Sequence, residues 1–506
     1  MTPNAADLND LWAQAADRFA DRRAVIYQDQ VLTYGQLGAR IGAFAAGLRH
    51  TLRVAPGDRV ALIMPKCLHS VIAYWAAIRA GAIAVPVNVR LRAPEMQFIL
   101  EDAAPAALVV HGSTWPTVQP AVAELQERPA VVGVDLAGEG VVPADALLEY
   151  RAPLPLVAAD RDDVAAIIYT SGTTGRPKGA LITHGNVLFN VQSTICGHGF
   201  APDDVHLLVV PLFHVTGLNT IMPTAFHQGA ALVVTAAIAP QELLTLVERH
   251  RATTFFGVPT TMILLAQCGE AEAYDVSSLR LIAYSGAPMP VLTIQQLRSR
   301  FPHVRLHNFF GLTETTSVTT VLPDEQALVR PESIGRAVPG LELRVVDPAG
   351  RALPPGEVGE LLVRGPSVVK GYYRRQEATA EAITDGWLHA GDMAYVDDEG
   401  YVFLQGRAKE MLIAAGENVY PVEVENVLTR HPAVAEAAVV GQPHRVFGEV
   451  VKAVVVLRPG ASATAQELKR HCAESLASFK VPQTVEFRGA LPRNPSGKVV
   501  KRELQT

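Results

Sequence analysis

"RVALIMPKCLHSVIAYWAAIRAGAIAVPVN", residues Arg59–Asn88, contains two short apolar runs separated by a helical pattern. Arg59–Pro65 and Gly81–Asn88 have the length and apolar composition of buried strands. Between them, the apolar residues from Val71 to Ile78 recur at helical spacing. A strand, a helix and a second strand in this order predict two parallel strands joined by a crossover helix.

The same alternation recurs along the chain. It returns in the stretches "VHLLVVPLFH", "AALVV", "TTFFGVP", "LRLIAYSGAP" and "RLHNFFGLTE". Repeated strand–helix–strand units predict an α/β fold with doubly wound parallel sheets and helices on both faces. Ligands of such folds bind at the carboxyl ends of the strands, so the polar residues there are the candidate site.

The length of the chain and a change in its sequence pattern predict more than one domain. At 506 residues the chain is too long for a single ordinary core. Short strands separated by Pro-Gly turns begin near residue 340 and predict a small β subdomain. We expect a large N-terminal domain over residues 1–408 and a small, mobile α+β C-terminal domain over residues 409–506.

Composition excludes several classes of function. The net charge is −6 and Lys and Arg do not cluster, which argues against nucleic acid and anionic membranes as partners. No apolar run is long enough to span a membrane, and no secretory signal precedes the first helix pattern. The four cysteines are scattered, which is typical of a reducing compartment and not of a disulfide framework or a zinc site. We therefore expect a cytoplasmic protein, with a homodimer as one option for its assembly.

A second stretch, "IIYTSGTTGRPKGA" (Ile167–Ala180), combines hydroxyls, glycines and a lysine at the end of a predicted strand. Freed backbone N–H groups, hydroxyls and an ammonium suit phosphate oxygens. It is not a Walker A loop, because Gly179 and not Ser or Thr follows Lys178. Taken alone, a glycine-rich turn with a solvated lysine would explain the stretch equally well.

Seven motifs in order resemble those of the adenylate-forming enzymes, the family of acyl-CoA synthetases, nonribosomal peptide adenylation domains and firefly luciferase. The motifs are "YTSGTTGRPKG", "PLFH", "YSGAPM", "FFGLTET", "GWLHAGD", "GRAKEMLIAAGENVYP" and "PRNPSGKVVKREL". The resemblance covers nearly the whole chain. It implies two steps, in which ATP and Mg²⁺ convert a carboxylic acid to an acyl-adenylate and a thiol, here coenzyme A, then displaces AMP.

The resemblance also implies the ATP site. Glu314 is the expected Mg²⁺ ligand, which agrees with the preference of this ion for carboxylate and phosphate oxygens. Asp392 is expected to accept hydrogen bonds from the ribose, with Arg407 beside it. The remaining predicted ATP-binding residues are Thr170, Ser171, Gly172, Thr173, Thr174, Gly175, Lys178, Gly286, Ala287, Pro288, Asn308, Phe309, Phe310, Gly311 and Thr313.

The C-terminal motifs imply a catalytic lysine and a hinge. Lys498, in "NPSGK", would offset the charge that develops between the acid and the α-phosphate. Lys409 matches the hinge about which the C-terminal domain turns between the two half-reactions. The rotation would bring the coenzyme A-binding loop, Ala415, Gly416 and Glu417, into the site.

The predicted acid pocket is mostly apolar. His214 is expected to gate or pack, with a plain core histidine as the alternative. The other predicted members are Phe213, Val215, Asn219, Phe256, Met262, Tyr284, Ser285, Phe309, Gly311 and Thr316. No carboxylate follows Phe213 to pair an amino group, and Gly257–Gln267 offers no cation for a diacid. The expected substrate is an aromatic acid or a short- to medium-chain fatty acid.

Acyl-CoA synthesis is the function that these observations favour. Three alternatives stay open: acyl transfer to a carrier-protein thiol, nucleotide binding without catalysis, and luciferase-type oxidation. Retention of Glu314, Asp392, Lys409 and Lys498 argues against a mere binder. No residue gives a positive sign of oxidation.

Overall fold

A computed structural model describes residues 5–151, 154–170, 176–407, 410–414, 417–444, 448–494 and 497–505. The strands, in chain order, are β1 (Arg23–Tyr27), β2 (Gln30–Thr33), β3 (Arg59–Ile63), β4 (Ile83–Pro86), β5 (Ala107–His111), β6 (Ala130–Val134), β7 (Val141–Pro143), β8 (Val164–Thr170), β9 (Lys178–Thr183), β10 (Val205–Leu208), β11 (Ala231–Val234), β12 (Thr254–Gly257), β13 (Leu281–Tyr284), β14 (Arg305–Phe310), β15 (Thr320–Leu322), β16 (Ser333–Ala337), β17 (Glu342–Val346), β18 (Gly359–Arg364), β19 (Ile383–Thr384), β20 (Trp387–Val396), β21 (Val402–Arg407), β22 (Leu412–Ala414), β23 (Glu417–Val419), β24 (Val434–His444), β25 (Gly448–Leu457) and β26 (Thr484–Phe487).

The α-helices are α1 (Leu8–Arg18), α2 (Tyr34–His50), α3 (Leu68–Arg79), α4 (Ala93–Ala103), α5 (Trp115–Ala123), α6 (Ala144–Leu148), α7 (His184–His198), α8 (Met222–Gln228), α9 (Pro240–His250), α10 (Pro259–Gln267), α11 (Val291–Arg300), α12 (Gln376–Ala382), α13 (Pro421–Arg430) and α14 (Ala465–Ala473). A π-helical turn, Thr216–Ile221, precedes α8, and a 3₁₀ turn, Thr313–Thr315, follows β14. Within the described part of the chain, none of these helices is long and apolar enough to cross a membrane.

The first sheet contains the predicted strand–helix–strand unit. Its strand order is β7-β6-β5-β3-β4-β8-β9, with every pair parallel except β8 and β9. β3, α3 and β4 lie where the periodicity predicts them, and α3 is buried along almost its whole length because apolar residues occur on all its faces. β8 and β9 are antiparallel and flank the glycine-rich stretch in the sequence.

The second sheet has the order β17-β18-β20-β21-β16-β15-β14-β13-β12-β10-β11-β1-β2, with β19 paired to β20. Strands β10 to β14 pair in parallel, whereas β14 to β18 pair antiparallel. The β-rich stretch after residue 340 forms β17 to β21, where the sequence predicts short strands. It continues the large sheet because β16 pairs with both β15 and β21.

The largest core lies between the two sheets. Trp12 of α1 and Trp75 of α3 contact each other with 5.5 Å between ring centroids. Phe226 of α8 meets Trp12 edge-on at 4.9 Å. Burial of these large apolar side chains fixes the sheets relative to each other, and with them the strand ends that form the site.

The C-terminal residues form a third, smaller sheet with α13 and α14 packed on it. Its order is β23-β22-β25-β24, with β26 paired to β25. Val419, Leu428, Val451 and Leu468 lie in its own buried core. The architecture is thus α/β, with a large N-terminal sheet domain and a small C-terminal domain. The predicted boundary itself, at residues 408–409, lies outside the described residues.

Candidate active site

Glu314 lies in the 3₁₀ turn that directly follows β14. The Thr315 hydroxyl accepts a hydrogen bond from the Leu312 N–H at 2.8 Å and so closes the turn. The Tyr372 hydroxyl donates to Glu314 Oε1 at 2.9 Å, and the Val369 N–H donates to the Glu314 carbonyl at 3.0 Å. The side chain and the main chain of Glu314 are therefore both held by one neighbouring segment.

Asp392 and Arg407 face each other across β20 and β21. Arg407 Nε lies 2.8 Å from Asp392 Oδ1, and Arg407 Nη1 donates to the Ala390 carbonyl at 3.0 Å. Asp392 is only 5% exposed, and its Oδ2 has no hydrogen-bond partner among the described residues. Burial raises the pKa of Asp392 to about 6, against the opposing effect of Arg407. A buried acceptor without a partner is costly and marks a place where a donor would be gained.

Lys498 of the C-terminal domain lies close enough to this pair for its charge to interact with both residues. A turn holds it, with the Lys498 N–H donating to Asn494 Oδ1 at 2.9 Å and the Asn494 N–H donating to the Lys498 carbonyl at 2.8 Å. Gly497 allows the turn because its φ is +87°, a left-handed value that glycine adopts readily.

The charges around Lys498 come from both parts of the chain. Lys498 is exposed at the surface of the protein, and partial desolvation by its surroundings lowers the pKa of Lys498. The Arg407 guanidinium lowers it further, whereas Asp392 and Glu314 act in the opposite direction. Lys498, Asp392 and Glu314, distant in sequence, are therefore brought together.

The glycine-rich hairpin is described only in part. Ser171, Gly172, Thr173, Thr174 and Gly175 lie outside the described residues. Thr170 ends β8 and Lys178 begins β9. Lys178 Nζ lies 5.2 Å from the centroid of the Tyr372 ring, within the range of a cation–π contact. This lysine therefore lies on the same side of the site as Glu314.

The predicted adenine-binding residues follow two neighbouring strands. Gly286, Ala287 and Pro288 are exposed in the loop after β13, whereas Phe310 at the end of β14 is half-buried. Asn308 does not direct its amide to an open site, because its Nδ2 donates to the Ser333 carbonyl at 3.0 Å.

Gly311 cannot carry a side chain. A Cβ atom at this position would lie 1.2 Å from the Ser317 carbonyl oxygen. The tight path that brings the chain from β14 into the turn with Thr313 and Glu314 therefore requires a glycine here.

The predicted acid-pocket residues divide into two groups. Phe213, His214, Ser285 and Gly311 are half-buried. The buried group comprises Val215, Asn219, Phe256, Met262, Tyr284, Phe309 and Thr316.

Two polar members of the buried group are committed to other contacts. The Thr316 hydroxyl donates to the Ser367 carbonyl at 2.8 Å. Asn219 Oδ1 accepts from the Tyr74 hydroxyl at 3.0 Å. Thr316 therefore supports the surrounding chain, whereas Asn219 Nδ2 has no hydrogen-bond partner among the described residues and is a polar donor among mainly apolar side chains.

His214 is held neutral at physiological pH. Burial, together with the smaller effects of the Lys498 and Arg90 charges, lowers the pKa of His214 to about 4. Its ring lies 4.8 Å from that of Phe213. A neutral, half-buried imidazole tilted against an aromatic ring fits a packing or gating side chain.

Among the residues predicted to bind coenzyme A and to form the hinge, most lie outside the described part of the chain. Lys409, Ala415 and Gly416 are in this group. The backbone of Glu417 begins β23. Their predicted roles stay predictions.

Tyr372 is absent from the residues predicted from the sequence. It occurs in "GYYRR", where two adjacent tyrosines give no sign of which one reaches the site. Its contact with Glu314 joins residues 58 positions apart, so no local periodicity could have found it.

No group of three or more His, Cys, Asp or Glu side chains that could hold a metal ion occurs within the described residues. Glu314 presents one carboxylate, with Tyr372 on one of its oxygens. Mg²⁺ commonly uses one or two carboxylates and completes its shell with phosphate and water oxygens. The residues present therefore fit a Mg²⁺ ion that enters with a nucleotide.

Comparisons with known proteins agree with this geometry. The family profile of AMP-binding enzymes matches residues 12–373, and that of the AMP-binding enzyme C-terminal domain matches residues 423–498. A feruloyl-CoA synthase from Amycolatopsis sp is 39% identical over 95% of each chain. A fatty acid–[acyl-carrier-protein] ligase from Streptomyces coeruleorubidus is 34% identical over 95% of this chain and 92% of the relative.

One solved structure is similar over almost the full length. The o-succinylbenzoate coenzyme A synthetase from Bacillus subtilis, in complex with ATP and a magnesium ion, has a TM-score of 0.87 at 30% identity, over 98% of this chain and 99% of that chain. Two family profiles match this chain, and relatives more than 30% identical match it over almost its whole length. These matches show its family. The chain belongs to the adenylate-forming family of AMP-binding enzymes, in the branch that contains the CoA ligases.

Proposed function

We propose that this protein is an ATP-dependent acyl-CoA synthetase that activates a carboxylic acid with an apolar body. The observation that carries the proposal is the convergence of Lys498 from the C-terminal domain with Glu314 and Asp392 from the N-terminal domain. Elements far apart in sequence bring two carboxylates and a cation close together. Such a site suits the binding of a nucleotide beside an anionic acid.

In the first half-reaction, a carboxylate oxygen of the acid attacks the α-phosphorus of ATP. The bond from this phosphorus to the bridging oxygen breaks, and pyrophosphate leaves. The two reactants are both anionic, so their approach needs positive charge at the point of attack. Lys498 supplies it, and Asp392 holds the ribose hydroxyls through the oxygen that has no partner within the described residues.

In the second half-reaction, the sulfur of coenzyme A attacks the acyl carbon. The bond from this carbon to the adenylate oxygen breaks, AMP leaves, and the thiol proton passes to solvent.

Bound Mg²⁺ would supply charge neutralisation at the phosphates during the first half-reaction. Glu314 is the residue that would hold it.

The half-buried members of the acid pocket favour an aromatic or a short- to medium-chain fatty acid. Phe213 and neutral His214 present flat, weakly polar faces. The feruloyl-CoA synthase and the fatty acid ligase among the relatives support the same two classes of acid. We expect the enzyme to act in the cytoplasm, where ATP and coenzyme A are available.

Acyl transfer to a carrier protein is the second candidate. A relative that loads a fatty acid onto an acyl-carrier protein favours it. The first half-reaction is the same in both candidates, and only the thiol acceptor differs.

A panel of carboxylic acids tests the proposal. AMP release is measured with each acid, first without a thiol, then with coenzyme A, then with a phosphopantetheinylated carrier protein. We expect turnover with coenzyme A and an apolar acid. Turnover with the carrier protein alone would favour the second candidate, and an absence of AMP release with every acid of the panel under all three conditions would overturn both.

A further inference from the structure

Residues 369–373 form a segment that is hydrogen-bonded to β9 on one side and to the turn that carries Glu314 on the other. The Leu181 N–H donates to the Gly371 carbonyl at 2.9 Å, and the Tyr373 N–H donates to the Gly179 carbonyl at 2.8 Å. On the other side, the Val369 N–H donates to the Glu314 carbonyl at 3.0 Å. The segment is thus fixed by its main chain to both the glycine-rich hairpin and the predicted metal ligand.

The two tyrosines of this segment contact different parts of the protein. The Tyr372 hydroxyl donates to Glu314 Oε1 at 2.9 Å, and its ring lies 5.2 Å from Lys178 Nζ. Tyr373 instead packs against the apolar core of the first sheet, with Arg374 over its ring at 4.9 Å. Only Tyr372 faces the nucleotide site.

The hydrogen bond from Tyr372 restricts the orientation of the Glu314 carboxylate. A free glutamate samples several rotamers and loses that freedom when it binds an ion. With Oε1 already engaged by a neutral donor, Oε2 is the oxygen left for a metal in a fixed direction. Mg²⁺ requires near-ideal octahedral geometry, so it gains more than a larger cation from a ligand held in one orientation.

We propose that Tyr372 is a positioning residue for the Mg²⁺–ATP complex, which acts by orienting the Glu314 carboxylate and by bringing the Lys178 ammonium toward the same phosphates. It rests on the proposed function in that it takes Glu314 as the Mg²⁺ ligand. It adds a residue to the site, and a physical link between the glycine-rich hairpin and the metal ligand.

The test is a binding experiment that needs neither an acid nor turnover. α,β-Methylene-ATP binding is measured by calorimetry at increasing Mg²⁺ for the wild type and Tyr372→Phe, which keeps the ring beneath Lys178 and removes only the hydroxyl. Loss of a partner of a ligating carboxylate commonly lowers metal affinity by about 10–100-fold. We expect Tyr372→Phe to need about 10-fold more Mg²⁺ for half-maximal enhancement of nucleotide binding, with wild-type affinity at saturating Mg²⁺.

Tyr373→Phe is the matched control, because the same atom is removed one residue away, from a side chain that packs against the apolar core of the first sheet. It should leave the Mg²⁺ curve unchanged. In a Glu314→Gln background, Tyr372→Phe should cause no additional shift, since the group that it orients has lost its charge.

Three results would overturn the proposal: a Tyr372→Phe curve that coincides with the wild type, a loss of affinity that is equal at every Mg²⁺ concentration, or a wild type whose nucleotide binding ignores Mg²⁺. Failure of the proposed function has a different signature. If the proposed function is wrong, no acid tested will yield acyl-CoA. The Mg²⁺ dependence of nucleotide binding still tests the role of Tyr372 in that case.

Discussion

The ionisation of the Asp392 carboxyl is expected to affect nucleotide binding directly. Burial raises its pKa to about 6, so the carboxyl is neutral below this pH and ionised above it. An ionised carboxylate accepts two hydrogen bonds from ribose hydroxyls, whereas the protonated form has lost part of its accepting capacity. The protonation state of one side chain is therefore expected to control nucleotide capture.

We predict that kcat/KM for ATP rises as pH increases through about 6, since this quantity reports on groups of the free enzyme. Asp392→Asn should lower kcat/KM and flatten this rise. The terminal phosphate of ATP titrates nearby and contributes equally to both profiles. An inflection of unchanged size in the Asp392→Asn profile would assign the ionisation to another group.

At the scale of one element, the turn after β14 depends on Gly311. We predict that Gly311→Ala lowers the unfolding midpoint and abolishes adenylation, because a Cβ would lie 1.2 Å from the Ser317 carbonyl and the turn must move. Overpacking of this kind costs about 1–3 kcal/mol or more.

Gly269→Ala is the control for this change. It occurs at a glycine whose Cβ would meet no atom within 4 Å. Differential scanning calorimetry and pyrophosphate release give the two readouts. A Gly311→Ala protein with wild-type stability and activity would contradict the account of this turn.

The elements also show which parts of the fold the sequence could predict. β3, α3 and β4 follow from apolar periodicity, because each is determined by residues close together in the chain. The pairing of β16 with β21 joins residues 67 or more positions apart, as between Gly335 and Val402, and local pattern does not contain it. The β-rich composition after residue 340 could therefore be predicted, whereas its attachment to the large sheet could not.

The same distinction applies to the site. Glu314, Asp392 and Lys498 could be predicted because each occurs in a motif that resembles a known family. Tyr372 and the buried oxygen of Asp392 could not, since a hydrogen bond between distant segments and a missing partner exist only after folding. The identity of the acid is likewise decided by the shape of a pocket and not by any motif.

At the scale of the whole molecule, the C-terminal domain is held in one arrangement against the N-terminal domain. Arg430 of α13 forms an ion pair with Glu332, which precedes β16. Lys498 simultaneously lies near Glu314 and Asp392. This is the arrangement expected for adenylation, and thioester formation would need a different one.

Lys409, the predicted hinge, lies outside the described residues, and its role stays a prediction. Proline fixes φ near −65° and removes an N–H, so Lys409→Pro should restrict rotation there. We expect pyrophosphate release in a first turnover to survive and acyl-CoA production to collapse. Rapid-quench measurement of both products distinguishes this from a general loss. Acyl-CoA formation at the wild-type rate would mean that no rotation at Lys409 is needed.

Lys498 is expected to serve the first half-reaction. Lys498→Ala should slow pyrophosphate release by about 10²–10³-fold, the usual effect of losing one positioned group at a developing charge. Thioester formation from a supplied acyl-adenylate should stay near the wild-type rate. Lys469→Ala removes a lysine from α14 of the same domain, whose ammonium is bonded to the Gln483 carbonyl, and should leave both rates unchanged.

The most direct measurement is therefore the rate of each half-reaction in Lys498→Ala, with the acyl-adenylate of an accepted acid supplied for the second. The account predicts a loss confined to adenylation. An equal loss in both half-reactions, or none in adenylation, would contradict it.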